Sequence, residues 1–293
     1  MNQFSTVLQI VTPVFFLAAI GFAWVKLGFE YRIEFVTQLA MTLSVPCLVF
    51  TALMKTEIDP QSLSIVSLAA VLAYGLVTLV AMLIVKLARI DIRTYLAPLI
   101  FGNTGNLGLP IAFFAFGQDG LGYAVVVFAI MIVFSFTFGV WLVSGGGSVA
   151  KLLKEPIVGA TLLGALFLWQ GWTTPVFLTN TLELIGQMAI PLMLITLGVA
   201  LARLSLGRLW LPVLLSAGKY AFCVAIAWGV GRWFSLPPIA FGVLVMQIST
   251  PVAVTSYLLA EKYRADADSV AGLVVVSTLL AVVTIPLTLA IVI

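Results

Sequence analysis

Apolar blocks of roughly 17 to 25 residues, the length that crosses a bilayer core as a helix, follow one another along nearly the whole chain. No soluble core absorbs so many such blocks. Of the 293 residues, 62% are hydrophobic and 9% are charged, whereas soluble domains carry about 25% charge. Mean hydropathy is +1.22, so soluble globular and disordered classes are both excluded. The fold class is an all-α polytopic membrane protein. A net charge of +3 gives no basic stripe for nucleic acid, because the Lys and Arg residues lie between apolar blocks. Cys47 and Cys223 fall inside apolar blocks and read as packed free thiols rather than a disulfide. Histidine is absent, which removes the commonest proton shuttle and metal ligand.

Ten spans are expected: Thr6 to Val25, Ile33 to Leu53, Leu63 to Leu87, Tyr95 to Phe116, Gly122 to Val143, Ile157 to Gly171, Thr181 to Leu201, Leu209 to Trp233, Ile239 to Leu259 and Ser269 to Val292. Met1 to Ser5 carries no basic residue, so the first block reads as a retained helix rather than a signal peptide. One set of alternating loops holds Lys26, Arg32, Lys86, Arg89, Arg93, Lys151, Lys154, Arg203, Arg208, Lys262 and Arg264, and the other only Lys55 and Arg232. Basic loops stay in the cytoplasm, which places both termini outside an inner (plasma) membrane. Trp24, Trp141 and Trp210 then fall at cytoplasmic ends, and Trp169, Trp172, Trp228 and Trp233 at external ends, as interfacial rings should. Glu57, Asp59, Asp119 and Glu183 fall at or near the external ends, where a solvated role is expected.

Ser144 to Ser148 is a flexible Gly/Ser linker at the middle of the chain. With five spans on each side, the halves enter the membrane with opposite polarity, the condition for an inverted repeat. The expected division is residues 1–146 and 147–293. Leu43-Ser44-Val45-Pro46 matches Met188-Ala189-Ile190-Pro191, and Gly108-Leu109-Pro110 matches Ser249-Thr250-Pro251, 141 positions later.

Span 4 carries Gly102-Asn103-Thr104-Gly105-Asn106-Leu107-Gly108-Leu109-Pro110 at its middle. Each glycine costs roughly 1 kcal/mol in a helix interior and a proline about 3. Irregular backbone at this depth is tolerated only inside protein or along a cavity. Span 9 repeats the theme with Gln247-Ile248-Ser249-Thr250-Pro251. Thr250 then reads as the N-cap, and Pro251 as the first-turn residue, of a restarted half-helix. Pro110 restarts the other. Two half-helix N-termini meeting near the midplane suit an anion. Close packing through the three glycines is the competing account, and it leaves both asparagines unexplained.

These stretches, together with Pro251 to Ala260 and the ten-span plan, resemble the auxin efflux carrier family of membrane transporters, similar in fold to the bile acid sodium symporters. The resemblance implies a scaffold of helices 1, 2, 6 and 7 and a transport domain of helices 3–5 and 8–10 with crossing helices 4 and 9. It also implies elevator-type alternating access in a homodimer, with a small malate- or malonate-like anion in bacterial members. Asn103 and Asn106 would line the substrate site, with Pro110 and Pro251 at the crossover. The long cytoplasmic loop of the plant carriers is missing, and so is the span 9 glutamate that the bile acid symporters use for sodium.

Lys219 lies about ten residues into span 8, roughly 15 Å from its end, too deep to snorkel. An intramembrane charge marks a functional site by default. Lys219 can meet the anion or cap the carbonyls of a broken helix in place of a sodium ion. A third reading is an uncharged amine, the form that a low-dielectric interior favours. No nucleophile with a base and no metal-ligand set is present, so an enzyme is not expected. The expected protein is a secondary transporter of a mono- or dicarboxylate, malate-, malonate- or auxin-like, with no cofactor beyond a coupling proton or sodium ion. Its substrate-binding residues are Asn103, Thr104, Asn106, Pro110, Lys219, Gln247, Ser249, Thr250 and Pro251. An anion channel and a non-transporting receptor subunit are the rivals.

Overall fold

The computed structural model describes residues 3–144, 156–203 and 210–293, and every regular element among them is helical. Helix labels follow the spans above. α1 is Gln3–Lys26, α2 Ile33–Lys55 with a π turn at Ala40–Ser44, and α3 Pro60–Leu87. α4a is Ile92–Ile100. After a break, Thr104–Val143 runs as one apolar stretch. It is divided at Gly117, whose φ of 65° and ψ of −150° no helix accommodates, into α4b (104–116) and α5 (118–143). α6 is Pro156–Gln170, α7 Val176–Arg203 with a turn at Met188, and α8 Trp210–Trp233. α9a is Pro238–Ile248, α9b Val254–Lys262 and α10 Ala267–Val292.

Among the described residues, seven helical stretches are long and apolar enough to cross a membrane. The remaining apolar segments, α4a, α6, α9a and α9b, are too short to span a bilayer core alone. Gly145 to Ser148, Lys151, Lys154, Arg208 and the 146/147 boundary lie outside the described residues.

α3 illustrates how a bilayer protein divides its apolar residues. Val66, Ala69, Ala70, Ala73, Val77, Ala81 and Val85 form a buried stripe of mostly small side chains. Leu68, Leu72, Leu76, Leu79, Leu83 and Leu87 cover the opposite, exposed face, with Leu79 67% exposed. A soluble protein does not display such a face. Small residues inside and large ones outside is the arrangement that lets helices approach closely in lipid.

α1 packs against α7, and α2 against α6 and α7. At the α1/α7 crossing Gly198 sits directly on the main chain of Ala18 and Phe22, and Gly21 on that of Ile195. α8 packs on α3, α9a and α10.

The loops sort to two ends. At one, Arg203 donates to the Tyr31 carbonyl, while Arg93 donates to the carbonyls of Val143 (3.0 and 3.2 Å) and Tyr263 (3.2 Å). At the other, Lys55 pairs with Glu183. A cleft of about 750 Å³ opens at this second end between α2, α7 and the α4b/α5 turn, lined in part by Thr51, Lys55, Phe113, Asp119, Glu183 and Pro191. Cys47 and Cys223 are free thiols.

Candidate functional site

The breaks in α4 and α9 lie against each other and are joined through their main chains. Gly102 and Val252 form an antiparallel bridge. The Asn103 N–H donates to the Pro251 carbonyl at 2.7 Å, and the Ala253 N–H to the Phe101 carbonyl at 3.4 Å. Exchanging residue 102 with 252 exchanges these two bonds, and α4b and α9b each restart two residues beyond that centre, at Thr104 and Val254. The local two-fold therefore relates positions 150 apart. About this local two-fold Pro110 and Pro251 do not occupy equivalent places.

The half-helix starts differ from expectation as well. Residues before proline are pushed out of the helical region, so Thr250 and Pro251 belong to the extended break and α9b begins three residues later. The Thr250 hydroxyl bonds back to the Gln247 carbonyl at 2.7 Å instead of capping forward. Pro110 does not start α4b either. The restart is a π turn, Thr104–Gly108, in which the amides of Leu107 and Gly108 both donate to the Asn103 carbonyl at 3.1 Å. A π turn placed just before a proline also precedes Pro46 in α2. The wider turn offers room for a ring that would clash in a regular helix.

The glycines answer to packing. A Cβ on Gly102 would overlap the Thr250 hydroxyl, one on Gly108 the Gln247 carboxamide oxygen, and one on Gly105 would lie 2.9 Å from the Phe128 ring. The asparagines do not answer to it. Asn103 is 4% exposed and its carboxamide nitrogen has no partner among the described residues, while Asn106 is half-buried. The Thr104 hydroxyl is likewise buried and unpartnered.

Lys219, 2% exposed, is the one buried charged side chain among the described residues. Its Nζ donates to the Thr250 carbonyl at 2.9 Å. The structure thus brings Asn103, Thr104, Thr250, Pro251 and Lys219 to one crossover, with Asn106 one turn into α4b. Gln247 is turned away from it, toward Gly108 and the Ala124 carbonyl (3.4 Å). Ser249 bonds the Met246 carbonyl behind it, and Pro110 lies within α4b.

Two participants carry little signal in the sequence. Ser277 on α10 accepts the Val252 N–H at 3.0 Å and thereby holds the α9 break. A lone hydroxyl pair, Ser277-Thr278, in an apolar helix was its one trace. Ser256, buried on α9b, donates its N–H to the Ala253 carbonyl at 3.0 Å, beside the same break.

The membrane transport protein family model matches residues 140–289, about half of the chain. An uncharacterized transporter of Methanocaldococcus jannaschii is 23% identical, over 92% of this chain and 94% of its own length. An uncharacterized transporter of Methanothermobacter thermautotrophicus is 25% identical, over 98% and 97%. With the second half of the sequence matching the model and both relatives aligned almost end to end, the chain belongs to the membrane transport protein family, the auxin efflux carrier family that its span 4 resembles.

Proposed function

We propose that this transporter carries a small organic anion, a mono- or dicarboxylate of the malate, malonate or auxin type, bound at the α4/α9 crossover and moved by elevator-type alternating access. In this reading the ten spans form two inverted five-helix repeats. α1, α2, α6 and α7 are the scaffold, α3–α5 and α8–α10 the moving body, two copies assemble as a dimer, and both termini face away from the cytoplasm. The observation that carries it is the buried carboxamide nitrogen of Asn103, without a partner among the described residues, at the point where two half-helices begin. The first turn of each offers N–H groups that no intrahelical acceptor satisfies, and helix N-termini favour negative charge. Lys219, bonded to the same break, adds a positive potential. The cleft of about 750 Å³ between α2, α7 and α4b gives the moving body a boundary on one side.

The test is thermal stability of the purified protein against a panel of mono- and dicarboxylates, followed by counterflow in proteoliposomes. A ligand of the folded state raises the melting temperature by mass action. One carboxylate class should do so in the wild type and not in Asn103→Ala, and should support saturable counterflow, which a channel lacks. Stabilisation of both proteins alike, or by no carboxylate, refutes the assignment.

A further inference from the structure

α6 is held tightly on one side only. It packs along α2, where Gly164 comes against Leu53 and the Phe50 carbonyl and the Phe167 ring meets Phe50 edge-on, whereas it touches α5 only slightly. A groove separates the two. Ile157, Thr161 and Ala165, one ridge of α6, line it opposite Val126, Ala129 and Val133, one ridge of α5. It has two parts, of about 400 and 80 Å³, which share Ala129 and Thr161. Small side chains in membrane helices ordinarily bring backbones together, as Gly21 and Gly198 do between α1 and α7. Here Ala129, Thr161 and Ala165, with Ser67 of α3, leave a trough instead.

The walls are apolar in effect. No charged residue lines either part, and the hydroxyls of Ser67 and Thr161 turn back to the carbonyls of Leu63 and Ile157, both at 2.8 Å. An anion finds nothing to hold there. The groove is also continuous with the surface that the bilayer covers, since Leu162, which lines it, is 64% exposed and Leu68 on α3 lies on the outward face already described. From Ile157 to Trp169 it follows α6 for about 18 Å at 1.5 Å per residue. One leaflet of a bilayer core is roughly 15 Å deep. Trp169 stands exposed at one end of the groove, and the bond from Thr174 to Met54 Sδ at 3.6 Å sets that end of α6 beside the Lys55 end of α2. An exposed indole there sits at headgroup level.

We infer that the α5/α6 groove is a lipid site, which takes one acyl chain of a phospholipid from the leaflet on the Lys55–Glu183 side, its headgroup beside Trp169. The chain supplies the dispersion contacts that the two ridges do not give each other. In the proposed division α2 and α6 belong to the scaffold and α3 and α5 to the moving body, so the lipid is a fluid filling between surfaces that shift past one another. The site itself goes beyond that reading and is tested without substrate.

The purified full chain is exchanged into lipid-free detergent and examined by native mass spectrometry. Its melting temperature is then measured with added dioleoyl- or dihexanoyl-phosphatidylglycerol, which share a headgroup and differ in chain length. The wild type should retain a phospholipid and gain several degrees from the long-chain lipid but not from the short. Ala129→Phe and Ala165→Phe put a ring into the groove and should lose both the adduct and the shift. Val71→Phe, on the outward face of α3, should keep both. A wild type without phospholipid, or ring variants that retain it equally, overturns the inference. So does an equal shift from the short-chain lipid, which would mark a headgroup site outside the groove. Should a ring variant fail to fold, Ala165→Leu and the chain-length comparison in the wild type still decide. Failure of the carboxylate reading would show separately, in the carboxylate panel.

Discussion

Gly108→Ala sets a methyl group against one side chain, and the consequence can be worked through. The Cβ would overlap Gln247 Oε1 and lie 2.8 Å from Cδ and 3.2 Å from Nε2, all three nearest atoms belonging to Gln247. That side chain is fully buried and is anchored by a 3.4 Å bond to the Ala124 carbonyl. Overpacking a closed core costs about 1–3 kcal/mol. Displacing the carboxamide from Ala124 adds about 1 kcal/mol, while alanine's better helix propensity returns roughly 1 kcal/mol. The net expectation is a loss of about 1–3 kcal/mol. Gln247→Ala alone leaves a cavity and should cost about 1–2 kcal/mol. The double variant removes the obstacle and puts the new methyl group in the vacated space, so it should be no less stable than Gln247→Ala. The coupling should then be about 1–3 kcal/mol in the favourable direction. Reversible unfolding of the four proteins in mixed micelles measures it. Additive losses, or a Gly108→Ala protein as stable as wild type, would refute the claim that this glycine exists to admit Gln247.

Gly198→Ala meets main chain instead of a side chain, 2.6 Å from the Ala18 carbonyl carbon and 2.8 Å from the Phe22 nitrogen. α1 and α7 must separate, so the loss should exceed that of Gly108→Ala and resist rescue by trimming Phe22, as paired melting curves would reveal. Asp266, in the loop before α10, accepts from the Ser269 hydroxyl and N–H, and these bonds hold its carboxyl below the usual carboxylate range. A depressed folded value means the stabilisation is complete above the ordinary carboxylate pKa and is lost as pH falls through the folded one. Stability should therefore drop on acidification in the wild type and drop less in Asp266→Ala, which should cost about 0.5–2 kcal/mol at neutral pH through the lost N-cap. Parallel pH titrations of the melting temperature decide it.

The long apolar helices and the position of the α4 break were legible because hydropathy and Gly/Asn/Pro content act locally. α9 was legible as broken and not in its details. Pro251 suggested a helix start, and the constraint that proline imposes on Thr250 instead made it part of the extended break. α9b starts after Ala253, which has no capping side chain, so no residue type announces it. The pairing of the two breaks was not legible for a related reason. Prolines were the visible landmarks, yet the groups that pair are peptide N–H and C=O, which every sequence carries. Lys219 stood out as a charge at depth, whereas its acceptor, a carbonyl 31 residues away, could be found only in three dimensions.

The main-chain bridge has a consequence for how this protein can be dissected genetically. Replacing Phe101, Asn103, Val252 or Ala253 with any residue that keeps its N–H leaves both bonds chemically intact, so an alanine scan would pass over the tie between the two broken helices. Only proline deletes a donor. Asn103→Pro would remove the 2.7 Å bond and Ala253→Pro the 3.4 Å bond. The bridge is encoded in the path of the chain, and a scan must alter the backbone to find it.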